Sequence, residues 1–265
     1  MCVRTRLLGM DIDPLRMDQA VQQILAWVYN RDRACHYVVT PNVDHIVMLQ
    51  HHLGLRRAYD DAGMILADGA PVLWASKLLG KGLPERVPGS DLVPALFSAV
   101  TSSQPVSVYL LGAGPGVAER AGAEIERRWP AIRICGSYSP PLGFEQDEAE
   151  NSRILAQIAA AEPDVLVVGL GAPKQELWVH AHRQQIRAAA ALCVGATIDF
   201  LAGEKARAPE WMRGCGLEWL HRVLSEPKRL ARRYARDAWV FPQIVAREWW
   251  QTSRLVARSA SLAKR

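Results

Sequence analysis

Short apolar runs alternate with amphipathic stretches along about the first 200 residues of the chain. In the amphipathic stretches, apolar residues recur every three or four positions, which is the spacing of one helix face. The apolar runs between them have the length of buried strands. They occupy residues 36–40, 64–67, 106–111, 132–135, 165–168 and 192–194. This alternation predicts an α/β fold with a Rossmann-like, mostly parallel sheet flanked by helices.

The first predicted helix spans residues 19–29 and has Ala20, Ile24 and Val28 on one face. Asp18 stands immediately before it. Because a carboxylate can accept hydrogen bonds from the first free amides of a helix, we predict Asp18 to be the N-cap.

The alternating pattern stops near residue 206, and the rest of the chain is predicted to form helices only. We therefore divide the chain into an α/β body, residues 1–206, and a C-terminal helical appendage, residues 207–265. Within the body, a stretch rich in glycine and proline, residues 78–94, predicts a further boundary at about residue 90. It would separate an N-terminal region from a Rossmann-like part, from about 91 to 206.

Charge divides at the same place as the pattern. The formal net charge is +5, but the appendage contains 13 Lys and Arg against 5 Asp and Glu, and the body 19 against 22. Five of the nine tryptophans also lie in the appendage. A basic segment of this kind points to an anionic partner, either nucleic acid or a phospholipid surface.

Several appendage arginines recur at helical spacing. They are Arg222, Arg229, Arg233 and Arg236. A nearly continuous helix through Pro227 would place them near one face. Basic amphipathic helices with tryptophan are typical of segments that lie in a bilayer interface. The alternative is a solvated face on helices that pack against the body.

The five cysteines are scattered and form no Cys-x-x-Cys pair. This favours a reducing compartment over a disulfide framework or a zinc site. The N-terminal residues lack the apolar core of a signal peptide, and no uninterrupted apolar stretch approaches the ~20 residues of a membrane span. We therefore expect a cytoplasmic protein whose contact with a membrane is peripheral, on the inner face.

A glycine-rich turn follows the apolar run 106–111. Backbone N–H groups in such a turn can hold a phosphate, so Gly112 and Gly114 are candidate substrate-binding residues. The spacing is Gly-x-Gly-x-Gly instead of Gly-x-Gly-x-x-Gly, and the next strand does not end in an acidic residue that would bind a ribose. An NAD(P)-dependent oxidoreductase stays as the alternative function, and a tight structural turn explains the glycines equally well.

A second loop, residues 169–176, combines two glycines with polar residues at the end of a predicted strand. Lys174 and the free N–H groups of the helix that begins there could hold a diphosphate, and Gln175 could bind a sugar or a base. Open α/β sheets bind ligands at this end of their strands. The predicted substrate-binding residues of the loop are Gly171, Lys174, Gln175 and Glu176.

Asp68 also follows a predicted strand, immediately before Gly69. It is a candidate general base, and Thr40 and Asn42, at the end of another strand, could orient a hydroxyl group. The alternative is an Asp-Gly turn with only a structural role. The sequence Asp11-Ile12-Asp13 resembles a metal motif, but the pattern offers no further oxygen ligands, and we expect no metal site.

Many of these segments stand in one order over nearly the whole chain. They are Thr40-Pro41-Asn42, Ala67-Asp68-Gly69, residues 86–92, the Gly112 turn, and residues 169–176, 194–196, 207–209, 216–222, 226–227 and 232–234. In this order the segments resemble the WecG/TagA/CpsF glycosyltransferase family.

The resemblance implies an inverting glycosyltransferase that needs neither a metal nor a cofactor. It would move a sugar from a UDP-sugar to an undecaprenyl-diphosphate-linked sugar at the cytoplasmic face of the membrane, in bacterial surface polysaccharide synthesis. Asp68 would be the base. The other polar active-site residues would be Thr40, Asn42, Arg86 and Gln175, and the appendage would associate with the membrane.

On this interpretation the basic appendage has two anionic targets, the phospholipid surface and the diphosphate of the acceptor. The residues predicted to contact them are Arg207, Arg222, Arg229, Arg232 and Arg233. Nucleic-acid binding is the competing interpretation, but it leaves the polar loops of the body without a purpose. The pattern does not distinguish N-acetylmannosamine, its uronic acid and glucose as the donor sugar. It also leaves open whether the chain assembles into a homo-oligomer.

Overall fold

The structure is a computed structural model that describes residues 3–30 and 34–262, without the side chains of Arg229 and residues 255–262. The strands are β1 (Thr5–Leu7), β2 (Met10–Ile12), β3 (His36–Val39), β4 (Met64–Ile65), β5 (Val106–Gly112), β6 (Ile132–Tyr138), β7 (Val165–Gly169) and β8 (Ala190–Cys193). The helices are α1 (Met17–Tyr29), α2 (Val43–Leu49), α3 (Leu53–Asp60), α4 (Ala70–Leu78), α5 (Gly89–Ala99), α6 (Val117–Arg128), α7 (Glu148–Ala161), α8 (Lys174–His182), α9 (Thr197–Leu201), α10 (Glu210–Gly214), α11 (Glu218–Ser225) and α12 (Pro227–Leu262). A short 3-10 helix spans Phe144–Gln146.

A six-stranded parallel sheet lies at the centre of the described residues. Its strand order is β4-β3-β8-β7-β5-β6, and each neighbouring pair is parallel. Strands β1 and β2 form a separate antiparallel pair. The predicted α/β class, with a parallel sheet flanked by helices and a helical C-terminal part, is confirmed.

Both faces of the sheet are buried, which explains the uninterrupted apolar runs in the sequence. Along β7, Val165 and Val167 pack into the hydrophobic cluster on one face, and Leu166 and Val168 pack into the cluster on the other. Successive side chains of a strand point to opposite faces. A strand covered by helices on both faces therefore needs an apolar residue at every position.

The N-terminal region and the Rossmann-like part share this one sheet. Strand β3 lies before residue 90, yet it pairs with β8 near the end of the body. Helix α5 begins within the glycine- and proline-rich stretch, residues 78–94, and packs against α1. The sheet thus runs through the predicted boundary near residue 90 without a break.

Helix α1 has a different start from the one predicted. Its N-cap is Arg16, and Asp18 lies inside the first turn, where its negative charge suits the helix dipole. The Arg16 amide donates to Gln19 Oε1 at 2.9 Å, and the Met17 amide donates to Glu85. Because these side chains satisfy the first free amides, an N-cap at Asp18 is not needed, and that prediction was wrong.

Pro227 divides the appendage. Helix α11 ends before this proline and α12 begins at it, because proline has no amide hydrogen and fits the first turn of a helix. Arg222 and Arg233 therefore lie on different helices, so the continuous helix through Pro227 that would place the four arginines near one face does not form. Helix α12 itself continues through Pro242.

Helix α12 packs along one side. Leu230, Asp237 and Ile244 are buried and stand seven residues apart, which places them on the same face of the helix. Through this face α12 packs on α2 and α11. Within residues 3–30 and 34–262, no helix is both long enough and apolar enough to cross a membrane.

Candidate active site

Two loops at the carboxyl edge of the sheet bring Asp68 and Asn42 together. Asp68 follows β4, and Asn42 follows the neighbouring strand β3. The Asp68 amide donates to the Pro41 carbonyl at 2.9 Å, which joins the two loops. Gly69 then turns the chain into α4 with a φ of 100°, a conformation that glycine adopts without strain. The buried Thr40 directly follows β3, next to this junction.

Asn42 is held in place as the N-cap of α2. Its Oδ1 accepts hydrogen bonds from the Asp44 amide at 3.0 Å and from His45 Nδ1 at 2.8 Å. Both donors belong to the first turn of the helix. The Asn42 side chain therefore has a defined orientation before any substrate binds.

A cavity of about 340 Å³ opens beside Asp68. The loops after β3 and β4 line one side of it, and the appendage lines the other. The lining residues are Asn42, Val43, Asp44, Asp68, Gly69, Ala70, Pro71, Trp74, Arg86, Ser90, Arg213, Gly216, Glu218, Trp219, Arg222, Arg233, Tyr234, Asp237, Ala238, Phe241 and Pro242. A concave site with a few convergent charged groups is the form expected of a small-molecule site.

The pKa of the Asp68 carboxyl group is strongly shifted. Burial raises its pKa from 3.8 to about 6, against the opposing positive charge of Arg222. Glu218 adds to the rise, whereas His45 and Arg86 also lower the pKa. A carboxyl group with this pKa is ionised at neutral pH and still takes up a proton readily, as a general base must.

Four guanidinium groups line the cavity. They belong to Arg86, Arg213, Arg222 and Arg233. Arg86 lies 3.9 Å from Glu218 and donates to the Arg213 carbonyl at 3.3 Å, and Arg213 lies 3.6 Å from Asp91. Because these ion pairs are longer than good hydrogen bonds, the guanidinium groups keep donors for an anionic ligand.

Asp44 holds the part of the cavity that α12 lines. Arg236 donates to Asp44 at 2.6 Å, and Arg233 Nη1 lies 3.4 Å from its other oxygen. Within the described part of the chain, the buried Nε of Arg233 has no hydrogen-bond partner. Asp237, beside Arg236, is also buried, and burial raises its pKa.

Gly216 allows the appendage to approach α4 closely. It lies in the turn between α10 and α11 with a φ of 74°. A Cβ at this position would lie 2.5 Å from the Cβ of Ala70 and 3.7 Å from the ring of Trp74. Both the backbone conformation and the contact therefore require glycine here.

Gln175 and Glu176, predicted to bind substrate, are buried inside the protein. Gln175 accepts a hydrogen bond from the Gly195 amide at 3.1 Å and donates one to Glu176 at 2.8 Å. Glu176 lies 3.3 Å from Nε2 of His45. These contacts tie the loops after β7 and β8 to α2, so that the two residues support Asn42 through His45.

His45 links this buried network to the cavity. Burial lowers its pKa, but the hydrogen bond and negative charge of Glu176 raise it more, and the net shift is upward. Nδ1 faces Asn42 Oδ1, and Nε2 faces the carboxylate of Glu176. A protonated imidazole donates to both oxygens. The orientation of Asn42 thus depends on the buried contact between His45 and Glu176.

The glycine-rich turn after β5 packs against protein. A Cβ on Gly112 would lie 2.6 Å from the backbone of Gly169, at the end of the neighbouring strand β7. Ser139 Oγ donates to the carbonyls of Gly112 and Gly114, at 3.2 and 3.0 Å. These contacts explain the glycines structurally, because a tight connection after β5 leaves no space for a side chain on Gly112. Neither of the two predicted glycines is among the described residues that line the Asp68 cavity.

The loop after β7 also lies away from Asp68. Lys174 Nζ is 3.3 Å from Glu145 and 5.6 Å from the centre of the Phe144 ring. Gly171 has a φ of 79°, and a Cβ on it would meet no atom of the described residues within 4 Å. The structure thus separates Gly171 and Lys174 from the cavity with which the sequence grouped them.

The appendage arginines predicted to meet acceptor or membrane differ in their positions. Arg222 and Arg233 line the cavity, and the Arg222 guanidinium lies 5.4 Å from the centre of the Phe200 ring. Arg232 is exposed on α12. The side chain of Arg229 lies outside the described residues.

Arg207 attaches the start of the appendage to the body. It donates to Asp91 at 2.7 Å and to Ser90 Oγ at 3.1 Å, both in the first turn of α5. Its two Nη groups thus contact α5, whereas its buried Nε has no hydrogen-bond partner among the described residues. The contact of Arg207 with acceptor or membrane stays a prediction.

Sequence reasoning missed four charged residues that line the cavity. They are Asp44, Arg213, Glu218 and Asp237. For Asp237 a signal was present, since it stands seven residues from the apolar Leu230 and Ile244 and so belongs to the buried face of α12. The contact of Arg213 with Asp91 joins distant segments, and no local pattern indicates it.

Residues 5–255 match the Glycosyl transferase WecG/TagA/CpsF family. Two relatives from Staphylococcus aureus, strains MW2 and NCTC 8325 / PS 47, are each 31% identical over 226 residues, which cover 85% of this chain and 86% of the relative. Both are named N-acetylglucosaminyldiphosphoundecaprenol N-acetyl-beta-D-mannosaminyltransferase. The resemblance seen in the motifs is confirmed, and the oxidoreductase alternative gains no support. The chain belongs to the WecG/TagA/CpsF family and is a glycosyltransferase.

Proposed function

We propose that the chain transfers a sugar from a UDP-sugar to a sugar linked through a diphosphate to a polyprenyl lipid. The names of the S. aureus relatives give an N-acetylglucosaminyl-diphosphoundecaprenol acceptor and an N-acetylmannosaminyl product. We therefore place N-acetylmannosamine first among the three candidate sugars, and cell-wall polymers such as teichoic acid first among the pathways. The observation that carries the proposal is Asp68, with a pKa of about 6, in a cavity lined by four arginines.

Asp68 acts as the general base in this proposal. It takes the proton from an acceptor hydroxyl group while that oxygen forms a bond to the anomeric carbon of the donor. The bond from this carbon to the diphosphate oxygen breaks on the opposite side, and UDP leaves with the electron pair. Attack opposite to the leaving group inverts the anomeric configuration. Asn42, fixed at the start of α2, orients the hydroxyl group.

The cavity arginines stabilise the diphosphate charge. Guanidinium groups bind phosphate oxygens through paired, directed hydrogen bonds, and such bonds are strong in a partly desolvated site. Arg86 and Arg222 lie close enough to favour the ionised form of Asp68. Arg233 lines the same cavity. Together these groups hold the negative charge that develops on departing UDP.

The contacts of the Asp-x-Asp sequence support a metal-independent reaction. Asp11 lies 3.0 Å from Arg6, and Asp13 lies 3.1 Å from Arg4. Asp13 also accepts a hydrogen bond from the Ile65 amide at 2.8 Å. These contacts attach the β1-β2 pair to the sheet, so the two carboxylates serve the fold.

The donor nucleotide is placed along the carboxyl edge between β5 and β7. The chain leaves β5 toward β6 on one side and leaves β7 toward β8 on the other, and such a switch in direction opens a crevice where open α/β sheets bind ligands. Gly112, Gly114 and Gly171 belong to this edge. With the nucleoside there, the diphosphate extends toward the arginines beside Asp68.

The exposed tryptophans of the appendage support binding to an anionic bilayer. Their exposed fractions range from 42% to 76%. They are Trp211, Trp219, Trp239, Trp249 and Trp250. Tryptophan on a basic helix is suited to the boundary between headgroups and acyl chains.

The reaction is tested with the purified full chain. A synthetic N-acetylglucosaminyl-diphosphate-polyprenol is incubated with UDP-N-acetylmannosamine, its uronic acid form or UDP-glucose, with and without EDTA. We expect one added sugar by mass spectrometry, an inverted anomeric centre by NMR, and the same rate with EDTA. If none of the three donors gives a product, the proposed function is contradicted. Loss of activity with EDTA contradicts only the metal-independent reaction.

Membrane association has a separate test. We expect the chain to float with vesicles that contain phosphatidylglycerol and to be released by high salt, because surface electrostatics are screened. The variant Trp239→Ser should float less than the wild-type chain. Neutral phosphatidylcholine vesicles are the control, and a chain that floats with neither vesicle contradicts the interfacial role of the appendage.

A further inference from the structure

An apolar groove of about 540 Å³ lies between α4 and α12. Its lining side chains carry no charge. They are Pro71, Trp74, Ala75, Leu78, Phe241, Pro242, Val245, Ala246 and Trp249. The mechanism above uses none of the residues found only in this groove.

The groove is continuous with the Asp68 cavity. Four residues, Pro71, Trp74, Phe241 and Pro242, line both spaces. Beyond this junction α4 continues for four residues to Leu78, about 6 Å of helix, and α12 continues for seven residues to Trp249, about 10 Å. A ligand can therefore extend from the charged cavity directly into the apolar groove.

Large apolar side chains on the groove are exposed. The exposed fraction is 58% for Trp74, 65% for Leu78 and 48% for Trp249. A contiguous exposed apolar surface marks a binding site more often than isolated exposed residues do. Near its far end, Lys81 and Glu248 form an ion pair at 2.8 Å, which fixes the end of α4 relative to α12. The groove is thus held open by the fold.

We propose that this groove binds the first isoprenyl units of the lipid acceptor, an inference that rests on the proposed function. The order of chemistry along the protein is a carboxylate, then guanidinium groups, then an apolar channel. The acceptor has the same order, a sugar hydroxyl, then a diphosphate, then a hydrocarbon chain. The match in order and the shared lining residues select this occupant over a second protein chain.

The proposal predicts that the enzyme distinguishes acceptors by their hydrocarbon. Two water-soluble acceptors, N-acetylglucosaminyl-diphosphate carrying either a geranyl or a methyl group, are compared without membranes. We expect the KM of the geranyl acceptor to be lower by about tenfold or more, because burial of each CH₂ group favours binding. Binding of both compounds to the chain without donor is measured by calorimetry.

Leu78→Gln, alone and together with Trp249→Gln, tests the location. Both side chains are exposed, so their replacement does not disturb the core. We expect the KM and Kd of the geranyl acceptor to rise by about tenfold, with kcat and the methyl acceptor unchanged. The matched control is Leu142→Gln, a 98% exposed leucine outside the groove, which should change nothing.

The outcomes separate this inference from the proposed function. Equal binding of the two acceptors, or equal losses for both in the variants, overturns the groove assignment even if sugar transfer is confirmed. Chain-length-dependent binding without turnover overturns the transfer reaction and keeps the groove. Analytical sedimentation of the wild-type chain and of Leu78→Gln tests the alternative that a second copy of the chain covers the groove. A dimer that Leu78→Gln dissociates would show this and overturn the proposal.

Discussion

The Asp68 cavity and the glycine turns after β5 and β7 lie along the same edge of the sheet, but the turn after β5 is packed against protein, whereas the cavity keeps an open space lined by charged side chains. In the turns, Gly112 allows the ends of β5 and β7 to touch, because the backbone of Gly169 occupies the space that a side chain on Gly112 would need. In the cavity, Gly69 and Gly216 bend the chain around an open, charged space. A glycine in a sequence therefore indicates a close approach without indicating whether protein or ligand approaches.

The two regions also differ in how their charges are used. Lys174, beside the turns, is paired with Glu145, whereas Arg233 lies 3.4 Å from Asp44 and lines the cavity. Part of the positive charge of the appendage is compensated inside the protein, since Arg207 pairs with Asp91. The division of charge between body and appendage thus reflects their attachment to each other as well as an anionic partner.

The largest effect is expected from Asp68→Asn. Removal of the base should lower kcat by about 10³-fold, within the range for general base catalysis, while donor binding changes little. The folded-state pKa of about 6 lies above the ordinary 3.8, so the protonated form is favoured by folding, and this stability is lost as pH rises through about 6. At pH above 7 the asparagine should therefore raise the free energy of unfolding, by up to about 3 kcal/mol.

Asp18→Asn is the control for this variant, because Asp18 is exposed on α1. Turnover, donor binding by calorimetry and urea unfolding are measured for both. An Asp68→Asn variant with more than a tenth of wild-type turnover would place the base elsewhere. A loss of activity together with a loss of stability would indicate a structural role.

Gly216→Ala tests whether the appendage must close over Asp68. The new Cβ would collide with Ala70 and adopt a positive φ, so α11 should move away from α4. Displacement of Arg222 and Glu218 by about 1 Å should lower kcat/KM by about 10- to 100-fold.

Gly143→Ala is the matched control, with a φ of 85° and no neighbour within 4 Å among the described residues. It carries the same backbone strain, about 1 kcal/mol, without the collision. Both variants should lose similar stability in urea unfolding, and only the first should lose activity. Equal activities would mean that the turn between α10 and α11 does not position the site.

The sheet was predictable because its signal is local. Each strand is buried on both faces, so runs such as 165–168 stand out from their neighbours. The start of α8 at Lys174 was predicted for the same reason, since a proline before a helix acts on adjacent residues. The prediction of Asp18 as the N-cap of α1 failed because Glu85, which is distant in sequence, accepts a hydrogen bond from the first amide of the helix.

The candidate site was only partly predictable, because it forms where distant segments meet. The positions of Asp68 and Asn42 were predictable, since each follows a strand and parallel strands share their carboxyl edge. The burial of Gln175 was not predictable from its position on the same edge, because its side chain points into a buried network with Glu176 and His45. The catalytic and binding roles of these residues stay predictions. Direction and burial of a side chain are properties of packing, and periodicity does not reveal them.

The pH dependence gives a smaller, more specific effect. The base works in its ionised form, so kcat/KM should rise with pH up to about 6 and then level off. Arg222 lowers the pKa of Asp68, so Arg222→Gln should move this limb to higher pH, by up to about one unit. Arg187→Gln, at an exposed position, is the control and should leave the limb in place. A limb that does not move, or moves to lower pH, contradicts the electrostatic contact.

The smallest effect is expected from Lys174→Gln, and it decides between the two regions. The Lys174 ion pair with Glu145 is partly exposed, so its loss should cost less than about 1 kcal/mol. If the diphosphate of the donor lies among the cavity arginines, the donor KM should change less than about threefold, whereas Arg233→Gln should raise it by about tenfold. Glu145→Gln removes the same ion pair and should match Lys174→Gln in stability. If Lys174→Gln has the larger effect on donor KM, the diphosphate lies beside the loop after β7, and its assignment to the cavity arginines is then wrong.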